Sequence, residues 1–405
     1  MARRGAAEDF DRVLALDERW RALTTRVEEL RAEQNRGSRE IGAAQGIERD
    51  ALIKRLRESS SELKKLEPEL AGLEAELQEA AARLPNLPDE SVPDGRSEEE
   101  NVEVRTWGEP PAFDFEPRDH LALGEALGLI DVERGVRTSG SRFYYLTGSA
   151  VRIQFALVLL GLDFAQSKGF TPVIPPVLVR EEAMFGTGFL PTEAVNIYST
   201  REDDLYVIGT SEVPLASLHA HEILEPDRLP TRYVGYSTCF RREAGTYGKD
   251  TKGIFRVHQF DKLEMFSFVL PEESRSEHER FLQWEEEFFR SLEVPYRVVD
   301  ICTGDLGPAA ARKFDIEAWM PGDGRYREVT STSNTTDFQA RRLECRVRLA
   351  EGNQTVHTVN GTLCAISRTL IALLENHQRA DGSVALPKVL HPYLPKKDRV
   401  LTPAS

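Results

Sequence analysis

The first part of the chain carries a heptad pattern of apolar residues. Between residues 10 and 84 these residues recur at alternating spacings of four and three, which is typical of a coiled coil. The pattern breaks at the glycines Gly42 and Gly46. We therefore predict two helices that fold back as an antiparallel hairpin with its tip at residues 42–48. Pro68 lies inside the second helix and predicts a local bend. The seam positions are Leu16, Trp20, Leu23, Val27, Leu30, Leu52, Leu56, Ser59, Leu63, Leu66, Leu70, Leu73, Leu77, Ala80 and Leu84.

The pattern changes after a proline-punctuated stretch, residues 84–95, which predicts a linker. We therefore assign residues 1–95 to a helical arm with its linker and residues 96–405 to a second domain. In that domain predicted strands outnumber helices and regular βαβ repeats are missing, so we expect an α+β fold with a mixed, mostly antiparallel sheet and flanking helices. The predicted strands are residues 102–107, 142–146, 205–209, 296–302, 313–319, 326–332 and 355–360, and the predicted helices are residues 119–129, 150–167, 214–223, 272–291 and 364–376.

Residues 238–265 read as a strand, a polar loop and a second strand over residues 255–265. Because alternate side chains of a strand share a face, a pair of such strands would display two arginines, two glutamates and an aromatic ring on one surface. That surface suits a nucleotide, since guanidinium groups bind phosphate oxygens. A polar hairpin with cross-strand ion pairs explains the same pattern. The residues concerned are Arg241, Glu243, Arg256, His258, Phe260, Lys262 and Glu264.

Charge and cysteine content limit the class of protein. The net charge of −15 excludes a protein that coats nucleic acid by bulk charge, and any contact with nucleic acid must use a local basic patch. The four cysteines are scattered without a CxxC pair, which favours a reducing cytosol and argues against a disulfide framework or a cysteine zinc site. No apolar run of about 18 residues and no apolar signal core are present, so we expect a cytoplasmic protein without a membrane anchor.

The basic patch is found at the tip of the predicted hairpin. There arginines and lysines outnumber the acids Glu33, Glu40, Glu48 and Asp50. Charges of this kind often form a solvated helix face, and they also suit the phosphate backbone of a nucleic acid. The basic residues are Arg31, Arg36, Arg39, Arg49, Lys54, Arg55 and Arg57.

Three segments, taken in order behind the arm, resemble the three motifs of class II aminoacyl-tRNA synthetases. They are GFTPVIPP at residues 169–176, FRREAGTYGKDTKGIFRVHQFDKLE at residues 240–264 and NGTLCAISRTLIALLENHQ at residues 360–378. With the arm in front, the whole chain resembles a bacterial-type seryl-tRNA synthetase. The resemblance implies a homodimer formed through the first motif and a two-step reaction in which ATP activates L-serine before its transfer to tRNA-Ser. Whether tRNA-Sec is also charged stays open.

The resemblance also implies roles for individual residues. Arg241, Arg368 and Glu328 would be the catalytic residues, and Glu328 with Ser331 would hold Mg²⁺. The ATP-binding residues implied are Arg241, Glu243, Arg256, Val257, Phe260, Glu328, Ser331 and Arg368, and the serine-binding residues are Thr210, Ser211, Glu212, Arg241, Glu264, Asn360 and Thr362.

The resemblance further implies that the arm reaches across the dimer to the variable arm of tRNA-Ser, which it reads by shape and backbone. The polar loop, residues 244–254, would meet the acceptor end of the tRNA and would be mobile before ATP binds. Family members begin with a further short strand and helix, whereas this chain opens at MARRGAAEDF; a misassigned start and a shorter arm base are both open.

Two other functions remain as alternatives. A synthetase-like paralogue loads an amino acid onto a carrier protein; such relatives lack the long arm and hold zinc, whereas this chain has the heptad hairpin and no Cys/His cluster. A non-catalytic RNA-binding or coiled-coil scaffold would be expected to lose residues among Arg241, Glu264, Glu328 and Arg368, and all four are present. No DNA-binding role is expected.

Overall fold

The computed structural model describes residues 1–244 and 252–403. The contacts within the chain divide it into two units, Met1–Pro85 and Asn86–Ser405. Most of the polar loop predicted to be mobile, residues 244–254, lies outside the described residues. The second unit begins at Asn86, whose backbone N–H donates to the carbonyl of Pro308 over 2.7 Å.

The first unit consists of two long helices, as the heptad pattern predicts. Helix α1 spans Ala7–Ile41 and helix α2 spans Ile47–Ala82, with Pro68 inside α2. Between them Gly46 has a φ of 59°, a left-handed conformation that a glycine adopts without strain. The predicted hairpin tip is thereby confirmed.

The two helices pack along the predicted seam. Val27, Leu30 and Leu63 form its buried cluster. Near the tip a Cβ on Gly37 would lie only 2.7 Å from Leu56 Cδ2, so the glycine lets the second helix approach closely. Ion pairs flank the seam between the helices at Arg12–Glu76, Arg26–Glu62, Arg31–Glu67 and Arg55–Glu33.

The second unit is built on strands. In chain order they are β1 (Val102–Trp107), β2 (Ile130–Asp131), β3 (Tyr145–Leu146), β4 (Thr171–Val173), β5 (Leu178–Val179), β6 (Tyr198–Ser199), β7 (Tyr206–Val207), β8 (Ile223–Leu224), β9 (Thr231–Phe240), β10 (Gln259–Val269), β11 (Tyr296–Asp300), β12 (Arg312–Met320), β13 (Arg325–Thr336), β14 (Arg346–Leu349), β15 (Gly352–Thr355), β16 (His357–Ala365), β17 (Val384–Ala385) and β18 (Val400–Leu401).

The main sheet has eight strands in the order β1-β11-β12-β13-β16-β10-β9-β4. Every neighbouring pair in it is antiparallel except β4 with β9. The predicted mixed, mostly antiparallel sheet is thus confirmed. Four small sheets accompany it, namely β15-β14-β8, β17-β18, β2-β3 and β5-β7-β6.

Helices cover the sheet and close its core. Alternation along β10 separates two faces: Leu263 and Met265 belong to the main core, whereas Lys262 and Glu264 line a cavity. The helices of this unit are α3 (His120–Ala126), α4 (Val132–Ser139), α5 (Ser149–Ser167), α6 (Glu181–Thr187), α7 (Glu212–Ala216), α8 (Ser274–Ser291), α9 (Phe338–Arg342) and α10 (Ile366–Asn376). Helices α5, α8 and α10 supply much of the core, including Ile153, Leu157, Phe281, Phe288, Leu370 and Leu374.

Several predicted elements differ in extent from the structure, and for two of them the contacts show the reason. The strand predicted over residues 255–265 begins only at Gln259, because the preceding backbone bonds elsewhere: the N–H of His258 donates to the carbonyl of Arg142 over 3.1 Å. The helix predicted over residues 214–223 ends at Ala216. There Ile223 instead joins β8 and pairs with Arg346 of β14, a distant partner that local sequence does not reveal.

Helix α5 is the one helix of the described residues that is long and apolar enough to cross a membrane. Its Ile153, Ala156 and Leu157 are buried in the core, and a core helix passes the same test of length and composition. A Cβ on its Gly161 would lie 2.4 Å from Leu263 Cδ1, so the helix packs directly on β10.

Candidate active site

A cavity of about 460 Å³ opens on the face of the sheet formed by β10, β13 and β16. It brings together every predicted site residue except Ser211. Those that line it are Thr210, Glu212, Arg241, Glu243, Arg256, Val257, Phe260, Glu264, Glu328, Ser331, Asn360, Thr362 and Arg368. The side chain of Ser211 is buried beneath, and its hydroxyl lies 2.6 Å from the hydroxyl of Ser237.

One end of the cavity combines an aromatic ring with two arginines and a glutamate. The guanidinium of Arg241 lies over the ring of Phe260 at 5.3 Å, a cation–π contact. Its Nε–H donates to the carbonyl of Gly209 over 3.1 Å, which fixes the direction of the fork. Arg256 Nη1 lies 3.5 Å from Glu243 Oε2. Arg241 and Glu243 follow strand β9 rather than continue it.

Arg368 and Glu328 form an ion pair in the same cavity. Arg368 Nη1 lies 3.2 Å from Glu328 Oε2 and donates to the Glu328 carbonyl over 3.1 Å. Burial alone would raise the pKa of Glu328, but the charges of Arg368, Lys313 and Arg241 lower it to about 2. Glu328 is therefore a carboxylate at every physiological pH.

Lys313 adds a cation that was not among the predicted site residues. Its Nζ lies 3.0 Å from Asp315 Oδ1. The carboxylates of Asp315 and Glu328 raise its pKa although burial opposes them. Burial raises the pKa of Asp315 to about 7 against the opposing charge of Lys313. The cavity thus holds cations next to Glu328, which suits an anionic ligand such as a polyphosphate.

The other end of the cavity is a hydrogen-bonded polar cluster around Glu264. Lys262 Nζ lies 2.5 Å from Glu264 Oε2 and donates to Thr210 Oγ1 over 2.7 Å. The hydroxyl of Thr362 donates to the same Glu264 oxygen over 3.1 Å. These groups can bind an ammonium and a hydroxyl together, because the carboxylate accepts hydrogen bonds and the hydroxyls can both accept and donate them.

Glu212 extends this cluster. Its Oε1 accepts from Asn360 Nδ2 over 3.1 Å and from Gln339 Nε2 over 2.7 Å. Burial, followed by the charge of Glu264, raises the pKa of Glu212 to about 7. The cluster therefore carries less negative charge near neutral pH than its two carboxylates would suggest.

Sequence reasoning missed two of these contacts for different reasons. Lys262 lies two residues before Glu264, so strand alternation already placed both on one face. No role was predicted for the lysine, however. Gln339 lies on α9, far along the chain from Glu212, and no local pattern connects them.

The donor set fits Mg²⁺ when a substrate supplies further oxygens. Glu328 offers a carboxylate and Ser331 a hydroxyl on the same cavity wall, and Mg²⁺ commonly uses one or two protein carboxylates with phosphate oxygens and water. Among residues 1–244 and 252–403, no group of three or more His, Cys, Asp or Glu residues is placed to hold a metal. A zinc centre like that of the carrier-loading paralogues therefore has no ligand set in this part of the chain.

Comparisons with known proteins agree with this geometry. Residues 1–88 match a family model described as "Seryl-tRNA synthetase N-terminal domain", and residues 195–377 match one described as "tRNA synthetase class II core domain (G, H, P, S and T)". The serine–tRNA ligase of Acidothermus cellulolyticus is 54% identical over 97% of this chain and 94% of its own length. That of Streptomyces coelicolor is 52% identical over 100% of this chain and 96% of its own length.

Solved structures give the same result. The seryl-tRNA synthetase of Pyrococcus horikoshii, complexed with ATP, superposes with a TM-score of 0.93 at 44% identity, covering 100% of this chain and 96% of that one. The cytoplasmic enzyme of Naegleria fowleri, in complex with AMP, has a TM-score of 0.87 at 35% identity, covering 100% and 94%. The chain belongs to the seryl-tRNA synthetase family of class II aminoacyl-tRNA synthetases.

Proposed function

We propose that the chain is a serine–tRNA ligase: it activates L-serine with ATP, releasing pyrophosphate, and transfers the seryl group to tRNA-Ser. The observation that carries the proposal is one cavity with two chemically distinct ends. An aromatic ring and cations line one end, and the Glu264 cluster lines the other. ATP needs the first kind of surface and serine needs the second.

Charge stabilisation explains how the cavity could drive activation. When the serine carboxylate attacks the α-phosphorus, negative charge builds between two anions, and a fixed guanidinium stabilises it more in the transition state than before it. Arg241 suits this role because its Nε is already bonded to Gly209. We assign Arg368 to the leaving pyrophosphate, since its guanidinium is a second fixed cation in the same cavity and pairs with Glu328. No nucleophile is required of the protein.

Glu328 and Ser331 are the residues that would hold Mg²⁺ with the ATP phosphates. The ion, when bound, would neutralise charge on the phosphate oxygens. The low pKa of Glu328, caused by the charges around it, keeps the carboxylate ionised and available.

Adenine recognition is assigned to the ring end of the cavity. Phe260 offers a stacking face, Glu243 can accept from the exocyclic amine, and Val257 offers backbone groups. Arg256, which pairs with Glu243, is assigned to phosphate.

Serine selection follows from the polar cluster. Thr210 and Glu264 would take the amino group and the hydroxyl, with Glu212, Asn360 and Thr362 closing the pocket. A site built to hydrogen-bond a hydroxyl rejects alanine because its own polar groups would be left unpaired. Ser211 contributes indirectly, since its bond to Ser237 holds the backbone next to Thr210.

We infer that the chain acts as a cytoplasmic homodimer. Val151, Phe155 and Leu159 recur at every fourth position along α5, and they keep 38%, 50% and 48% of their surface exposed. Next to the parallel edge strand β4, Ile174 is 85% exposed. An apolar stripe of this kind is typical of a protein–protein interface, and a C2 dimer would bury the same stripe of both copies.

The helical hairpin is proposed to bind tRNA-Ser through phosphate contacts at its basic tip. Residues 1–95 would then be the tRNA-binding arm with its linker and residues 96–405 the catalytic domain. A role of residues 244–254 at the acceptor end, and charging of tRNA-Sec, belong to the same proposal.

ATP–pyrophosphate exchange tests the proposal, run with each of the twenty amino acids in turn. We expect exchange with serine, and its absence would refute the function. Deletion of residues 24–80 should spare exchange and abolish charging of tRNA-Ser; unchanged charging would refute the role of the arm.

A further inference from the structure

An imidazole at the start of α3 joins three separate segments. His120 Nδ1 and its backbone N–H each lie 2.9 Å from Glu375 Oε1, near the C-terminal end of α10. The backbone N–H of Ile254 donates to His120 Nε2 over 3.3 Å. These partners require a neutral ring with its proton on Nδ1, which donates to the carboxylate while Nε2 accepts.

The carboxylate that holds the imidazole is itself fixed. Glu375 is buried, and its second oxygen accepts from the backbone N–H of Gly322 over 2.8 Å. Both oxygens therefore have partners, and the side chain cannot turn without losing one of them. His120 is thus held in one orientation by α10.

The chain passes the imidazole so closely that only glycine fits there. Gly253 has a φ of +83°, and a Cβ at this position would lie 2.1 Å from His120 Nε2. Both the conformation and the contact exclude a larger residue. Ile254 is fully buried, so its N–H has no access to water and depends on the imidazole as acceptor.

The same segment touches the other end of α10 through Phe255. The guanidinium carbons of Arg368 and Arg327 lie 4.7 and 3.8 Å from the centre of its ring. The segment is therefore tied to α10 at two adjacent residues, through His120 at Ile254 and directly at Phe255. The next two residues, Arg256 and Val257, line the cavity.

We propose that His120 is a positioning residue for ATP binding. It acts through the backbone of Ile254 and holds residues 253–257 in place against α10, so that Arg256, Val257 and Arg368 face the nucleotide. His120 is absent from the cavity wall, so this role is exerted through the segment and not by contact with the nucleotide. The inference rests on the proposed function, because it presupposes that this cavity binds ATP.

A pair of amide variants separates the two hydrogen bonds of the ring. His120→Gln places an amide oxygen near the position of Nε2 and can accept from Ile254. His120→Asn places its amide near Nδ1 and can reach Glu375, but leaves the Ile254 N–H unpaired. The readouts are the Kd for ATP by calorimetry and the KM values for ATP and serine in pyrophosphate exchange.

We expect His120→Asn to weaken ATP binding about tenfold, because residues 253–257 can then shift so that water reaches the Ile254 N–H, and ATP binding must bury this N–H again without a partner. The KM for serine should stay within about twofold, since the serine cluster lies elsewhere, and the melting temperatures of the two variants should agree. His120→Gln should retain ATP binding close to that of the wild type.

Equal ATP affinities for the two variants would overturn the proposal, as would a parallel loss of ATP and serine affinity, which indicates general damage. Wild-type protein that binds ATP without serine-dependent exchange would refute the proposed function and leave the binding comparison intact. Wild-type protein that binds no ATP would overturn both.

Discussion

The buried ion pair of the polar cluster around Glu264 gives a sharp test of how this part of the cavity is held together. Lys262 and Glu264 keep only 7% and 3% of their side-chain surface exposed, with 2.5 Å between Nζ and Oε2. The perturbation is Lys262→Met, which keeps the length of the side chain and removes its charge. The change leaves Glu264 without a counter-ion. Glu212 lies nearby, and its pKa is raised by burial and then by the charge of Glu264.

Removal of one partner from a buried pair costs about 3–5 kcal/mol, because the remaining charge is neither solvated nor paired. Thr210 Oγ1 also loses its donor. A urea slope of about 3 kcal/mol per molar converts this loss into a fall in the unfolding midpoint of about 1–1.7 M. The double variant Lys262→Met with Glu264→Gln should recover much of the loss, since no isolated charge is left.

Urea unfolding followed by tryptophan fluorescence measures the effect as a midpoint, because a chain of this length need not unfold in one step. Arg137→Met is the matched control: its ion pair with Glu133 lies at the surface, with 71% and 85% of the side chains exposed, and should matter little. A fall for Lys262→Met no larger than that of the control, or a double variant as unstable as the sum of the single ones, would refute the reasoning.

The remaining predictions concern charge, assembly and phosphate binding. Burial raises the pKa of Glu212 to about 7, so the folded chain holds a proton that the unfolded chain has lost above about pH 4.3, and stability falls as the pH rises towards 7. Melting curves between these pH values should show a smaller fall for Glu212→Gln; an unchanged slope would contradict the assignment. Phe155→Asp should shift the mass in sedimentation velocity from dimer to monomer, whereas Leu218→Asp, at another exposed apolar position, should leave the dimer intact; a dimeric Phe155→Asp would exclude this interface. Arg368→Lys keeps the charge but loses the guanidinium fork and should raise the KM for ATP about tenfold, while Arg341→Lys, an exposed pair with Asp337, should not; equal effects would argue against the phosphate role.

Patterns that repeat along the chain predict the fold well. The arm follows from its heptads because every seam position repeats the same kind of apolar contact with the partner helix. The strands β1, β11, β12 and β13 begin within one residue of their predicted starts. Strands β12 and β13 extend beyond the predicted ends, whereas β11 ends two residues earlier than predicted. The segment before Gln259 was predicted as strand but is not one, because the backbone N–H of His258 donates to the carbonyl of Arg142. No local pattern in the sequence predicts so distant a partner.

The site residues were predicted through resemblance more than through pattern. Alternation placed Lys262 and Glu264 correctly on one face of β10, but it also placed Arg256 on that strand, whereas Arg256 lies before the strand begins. The cavity gathers these residues from β9, β10, β13, β16 and α10. Such a gathering depends on sheet order, which a single sequence does not state. Lys313 and Gln339 became visible only once that order was known.

A crystal structure with a non-hydrolysable seryl-adenylate analogue tests the central claim most directly, namely that one cavity holds both substrates at its two ends. We expect the adenine against the ring of Phe260 and the amine near Glu243. The phosphate mimic should lie at Arg241, and the seryl group should contact Glu264. An analogue bound outside this cavity, or one whose seryl group lies at the Phe260 end, would contradict the assignment.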